Sequence, residues 1–343
     1  MKPILFALTL AATPLAGYAQ DSAATSEAAT VADVVQVHIL PRFEALAQRS
    51  ADLSQVAEQE CTATSARLRA AYGEAFDAWV TASHLRFGPS EVGDRAFALA
   101  FWPDSRGATP ETLAALIADQ DPVAGSAEEY ANVSIAARGF YAMEFLLYDD
   151  AISTSGDAAY RCDLVQAVAA DIAATSQAIA QDWQDEYADR LLHPTEGGTY
   201  RSDNEALREL FKALTTGLEF TADTRLGRPM GTFERPRPTR AEAWRSDRSV
   251  RHVELSLLSL RDLATRMAGA GTDLASEFNT AFDYALTRLS RLDDPALANV
   301  VEAQGRLHIE VIEQGIQAIR TLARDELGPQ LGVAAGFNSL DGD

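Results

Sequence analysis

One carboxylate stands out for the company it keeps. Glu144 lies in the segment Gly139-Phe140-Tyr141-Ala142-Met143-Glu144-Phe145-Leu146-Leu147-Tyr148, which is rich in helix formers and free of breakers. At helical spacing Tyr141 (i−3) and Tyr148 (i+4) share its face, so two phenols flank one acid. A carboxylate buried among Phe140, Met143, Leu146 and Leu147 must be paired, hydrogen-bonded or protonated, because burying it bare is costly. Such an acid is a candidate for proton transfer, metal ligation or ligand binding, and equally for a structural bond to a tyrosine.

A second concentration of chemistry follows at 225–251, where eight arginines (225, 228, 235, 237, 240, 245, 248 and 251) face only Glu234, Glu242 and Asp247. Guanidinium forks gather carboxylates. They either lock an interface by pairing with Asp104, Glu144 or the acids of the C-terminal tail, or they capture an anionic ligand. Arg86, Arg225, Arg228, Arg240 and Arg245 are the candidates, with Trp102 and Trp244 able to stack on a ligand or a guanidinium plane. Asn338, Asp341 and Asp343 add oxygen donors in a glycine-rich tail, without the spacing of a calcium loop.

The familiar catalytic patterns are missing. There is no His-Glu-x-x-His and no Gly-x-Ser-x-Gly. His193-Pro194-Thr195-Glu196 has the letters of a His-x-x-Glu pair, but Pro194 and the glycines after it deny it a long helix. His84 falls near the end of the 53–87 helix beside Arg86, and His252 and His308 fall on second-half helices, where each reads as a surface or satisfied residue.

These residues must be positioned by helices. Apolar residues recur at helical spacing over 34–49, 53–87, 128–149, 163–189, 204–224, 241–267, 274–292 and from Pro295 to Leu327, and alternating β-branched runs are nearly absent. The fold class is all-α, two helical bundles meeting at a cleft, with the boundary in the His193-to-Gly198 loop. This divides the chain into 1–19, an export signal; 20–30, a flexible lead-in; 31–195; and 196–343. The signal has Lys2 at its start, a short apolar run from Ile4 to Leu15 and small residues before Gln20. That run is too short to span a membrane, and the mature chain is expected in the periplasm. In that oxidising compartment Cys61 and Cys162, which lack metal-site spacing, should form a structural disulfide. A formal net charge of −21 argues against nucleic acid and anionic membrane surfaces as partners.

Gly139, Glu144 and the apolar residues between them resemble the Gly-x-His-x-x-Glu signature helix of the imelysin family, with Tyr141 in place of the histidine. The segment from Trp79 to Pro89, the Phe101-Trp102-Pro103-Asp104 turn, Arg225 to Arg245 and the ending Gly336 to Asp343 are similar to the family as well. The resemblance implies two four-helix domains with the signature helix facing an interdomain cleft, in an envelope protein linked to iron uptake. It implies a ligand or iron ion held by Glu144, Tyr141 and nearby arginines without catalysis. A metallopeptidase using Glu144 is the alternative, since the family carries a peptidase label, and a helical scaffold for an envelope transporter is a third. Tyr141 could serve a ferric ion as tyrosinate, but it is a poor zinc or ferrous ligand because a phenol is protonated at neutral pH.

Overall fold

The computed structural model describes residues 26–333. Residues 1–19, read from the sequence as an export signal, and the tail residues Asn338, Asp341 and Asp343 lie outside them. Among the described residues there is no strand, only an isolated bridge between Thr232 and Arg235, so the all-α expectation holds. The principal helices are α1 (Leu40–Gln59), α2 (Ala66–Ala82), α3 (Ala108–Asp119), α4 (Gly139–Tyr148), α5 (Ala158–Asp182), α6 (Asp203–Glu219), α7 (Ser249–Ala268), α8 (Asp273–Leu289) and α9 (Ala303–Leu322). Helix α1 packs on α2 and α5, and α4 sits against α5 and α2; α8 lies between α7 and α9, and α6 touches both of these. Helix α7 also packs on α2 and on the wide helical turn Val34–Ile39, joining the two sets of helices through a continuous apolar core.

Several helix starts differ from the periodic reading. The turn at 60–65 divides the segment read as one helix over 53–87, because Ser65 caps α2 by accepting from the Leu68 N–H at 3.1 Å. Residues 26–33, read as lead-in up to residue 30, are already helical from Ser26. Helix α4 starts at Gly139 rather than near residue 128. There the chain turns with φ +74°, and a Cβ would lie 2.2 Å from the Leu99 carbonyl oxygen, so glycine alone fits. Helix α7 starts at Ser249 rather than at 241. Ala243 and Asp247 take left-handed conformations (φ 49° and 56°), which turns residues 241–248 into a compact loop.

The disulfide forms as expected. Cys61, just beyond α1, bonds Cys162 on α5 with 5.0 Å between their Cα atoms across a separation of 101 residues. Closing a loop of that length stabilises by about 3–5 kcal/mol in the chain-entropy account.

Candidate functional site

Helix α4 is apolar on every side, and Glu144 is 2% exposed. Its Oε1 accepts two bonds from one residue, the Ser246 N–H at 3.0 Å and the Ser246 hydroxyl at 2.8 Å. The 243–247 turns aim Ser246 at it. Burial pushes the Glu144 carboxyl up to about 7, against the Ser246 bonds and the charge of Arg245, which favour ionisation. No arginine bonds Glu144. Arg245 instead pairs with Asp149 at 2.8 Å, its guanidinium 3.9 Å over the Phe145 ring and 4.6 Å over Trp244.

Tyr141 does not flank Glu144 as the helical spacing suggests. Its hydroxyl donates to Glu242 Oε1 at 2.6 Å, and Arg225 Nε donates to Glu242 Oε2 at 2.5 Å. His252 Nδ1 lies 3.2 Å from the same Oε2 but off hydrogen-bond alignment, leaving both ring nitrogens of this buried imidazole without a hydrogen-bond partner among the described residues. Burial would raise the Glu242 carboxyl. The Arg225 and His252 neighbours overcome that and hold it well below the usual carboxylate range. Burial, reinforced by the Glu242 charge, pushes the Tyr141 phenol well above its ordinary value.

This cluster closes one wall of a cavity of about 120 Å³. Trp79, Ser83, His84, Trp102 and Tyr141 come from the first half of the chain and Thr216, Phe220, Arg225, Glu242 and Ser256 from the second. Trp102 stacks on Tyr141 with centroids 6.2 Å apart. The hydroxyls of Thr216 and Ser256 are buried with no hydrogen-bond partner among the described residues, an arrangement normally relieved by water or a ligand.

Of the residues singled out from the sequence, Tyr141, Trp102, Arg86 and Arg225 line this cavity, and Arg228 lies 5.8 Å over the Trp102 ring. The remaining candidates do not line it. Tyr148 stacks under Arg69. Asp104 takes no arginine; it caps the start of α3 by accepting backbone N–H bonds from Arg106, Gly107, Ala108 and Thr109. Glu242 and the hydroxyl wall were missed. Glu242 was counted only as a counter-charge, in a stretch read as helix.

The eight arginines divide. Arg225 pairs with Glu242, Arg245 with Asp149, Arg248 with Asp77, and Arg251 with Asp77 and Glu254. Arg228, Arg235, Arg237 and Arg240 have no acidic partner among the described residues. Burial and the neighbouring Arg240 charge pull the Arg228 guanidinium below its ordinary value, and its Nε is buried without a partner.

Metal ligation finds a poor fit here. No three His, Cys, Asp or Glu side chains among the described residues form a group able to hold an ion. Tyr141 and Glu144 point to different partners, so a metal bridging them would have to displace both bonds.

An all-helical protein with a polar cavity beside a Gly-x-x-x-x-Glu helix is the class that fold and site define. The imelysin family model matches residues 39–325, and the chain belongs to that family. It is similar in structure to an imelysin-like protein from Psychrobacter arcticum 273-4, with 20% identity and a TM-score of 0.76 over 92% of this chain and 98% of that one. It is also similar to a protein from Parabacteroides distasonis ATCC 8503 described as an iron-regulated protein A precursor, with 13% identity and a TM-score of 0.72 over 88% and 94% of the two chains. No curated protein matches. Among the described residues no helix is long and apolar enough to cross a membrane.

Proposed function

We propose that this imelysin-family protein is an exported, non-catalytic binding protein that takes a small anionic ligand, such as a carboxylate chelate of iron, at the cavity rimmed by Trp102. The observation that carries this reading is the pair Arg228 and Arg240. In a chain of net charge −21, they lie close enough for one to perturb the other and have no acidic partner among the described residues. Arg228 lies over Trp102, so a planar carboxylate would meet a charge and an aromatic face together. The iron context comes from the name borne by the Parabacteroides neighbour, and export from the N-terminal sequence.

Thermal melting with ferric citrate, with citrate alone and with phosphate tests it, in the wild type and in an Arg228→Gln/Arg240→Gln double variant. Ligand at a hundred times its Kd stabilises by about 2.7 kcal/mol, so ferric citrate or citrate should raise the wild-type Tm and leave the double variant unmoved. A shift equal in both proteins, or none in either, removes the arginine site. Peptide cleavage that a chelator abolishes would favour the metallopeptidase reading instead.

A further inference from the structure

Three residues distant in sequence form a chain that ends at the cavity. Asp262 on α7, 32% exposed at its side chain, takes bonds at Oδ2 from His38 Nδ1 at 2.8 Å and Arg42 at 3.0 Å, and at Oδ1 from Arg266 at 2.9 Å. His38 is wholly buried in the wide turn before α1, and its Nε2 lies 2.8 Å from Nε2 of His84. His84, beyond the end of α2, lines the cavity. Its remaining ring nitrogen, Nδ1, has no bonding partner among the described residues.

The protons in this chain are fixed by elimination. Asp262, ringed by Arg42 and Arg266, is ionised and only accepts, so His38 Nδ1 carries a proton. Burial keeps both imidazoles neutral: it lowers His38 to about 4 against the opposing pull of the Asp262 bond and charge, and His84 well below its ordinary value, with the charges of Arg42, Arg225 and Arg266 acting alongside burial. A neutral His38 protonated on Nδ1 has a lone pair on Nε2. With the two Nε2 atoms in hydrogen-bond contact, the bridging proton belongs to His84 Nε2. His84 Nδ1 is then a bare lone pair.

We propose that the Asp262–His38–His84 chain makes His84 Nδ1 a hydrogen-bond acceptor in the cavity, selecting a planar ligand group that donates an O–H or N–H. Trp79, Trp102 and Phe220 supply flat apolar walls beside it. The unpartnered Ser256 and Thr216 hydroxyls supply further polar contacts. At about 120 Å³ the space suits a group of roughly one ring, since a dry cavity of about 150 Å³ takes benzene. His84 touches the ligand; His38 and Asp262 are positioning residues. The inference rests on the cavity being a ligand site, and it is separable from the arginine rim.

The test is nitrogen NMR of the intact protein with labelled histidine at pH 7, in the presence of phenol or of fluorobenzene, which has no donor. We expect His84 to show a protonated Nε2 and a bare Nδ1, and phenol but not fluorobenzene to shift that Nδ1. Asp262→Ala removes the acceptor that holds the His38 proton on Nδ1, so the tautomers of both rings are no longer fixed. His84 Nδ1 should then carry the proton in part, and the phenol shift there should shrink. A protonated Nδ1 in the wild type overturns the proposal before any ligand is added, whether or not Asp262→Ala folds. A bare Nδ1 that phenol fails to shift, or that fluorobenzene shifts equally, overturns the ligand selectivity. Neither result touches the ferric citrate test.

Discussion

Glu144 and Glu242 are both almost fully buried, both tie the first half of the chain to the second, and their carboxyls are shifted in opposite directions. Glu144 has hydrogen-bond donors but no bonded cation, and burial lifts it to about 7. Glu242 has a guanidinium at 2.5 Å and an imidazole at 3.2 Å, and stays ionised. The difference teaches that depth alone does not set the charge of a buried acid. A cation brought to contact distance outweighs desolvation, whereas two neutral donors from Ser246 only moderate it. It also shifts the chemical centre from the signature helix's own acid to the acid its tyrosine touches.

Breaking the ionised side should cost most. Glu242→Ala strands the buried Arg225 charge and should destabilise by about 3–5 kcal/mol in urea unfolding; a loss under 1 kcal/mol would mean the pair is solvated. The next effect should appear as a pH dependence. An acid raised from 4.5 to about 7 keeps a proton on folding that the unfolded chain releases, so its contribution to stability is complete below 4.5 and is lost as pH rises through 7. Glu144→Gln cannot ionise, and its stability relative to wild type should therefore climb by about 3 kcal/mol between pH 4.5 and 8. Glu242 has the opposite sign: its stabilisation is present above the unfolded value and is lost in acid. A smaller effect is expected from Tyr141→Phe, which removes one charge-assisted bond to Glu242 at a cost of about 1.5–3 kcal/mol. The smallest is Ser246→Ala, which deletes one of the two donors to Glu144. It should raise that carboxyl further and cost about 1 kcal/mol at pH 8, read by unfolding at pH 5 and pH 8.

Much of the frame was legible in the chain. The apolar neighbours of Glu144 announced its burial, and two cysteines in a chain whose start reads as an export signal announced their bond. Helical spacing gave the class but misplaced the starts of α4 and α7, because a glycine at φ +74° and left-handed Ala243 and Asp247 are set by tertiary packing that periodicity does not record. Spacing along one helix also assigned Tyr141 to Glu144, when its true partner lies 101 residues away. Separation in sequence also hid the link of His38 to Asp262, 224 residues apart. Glu242 stands between two alanines in the arginine-rich stretch, and nothing local marks it as buried. The surplus of arginine there was a signal, but not which four would find acids.

Carbon NMR of the glutamate side-chain carboxyls, assigned by Glu144→Gln and Glu242→Gln, tests the contrast most directly. The account expects the Glu144 carboxyl to titrate near pH 7 while the Glu242 carboxyl stays ionised down to the onset of acid unfolding. Two carboxyls titrating together between pH 4 and 5, the ordinary range for glutamate, would contradict it.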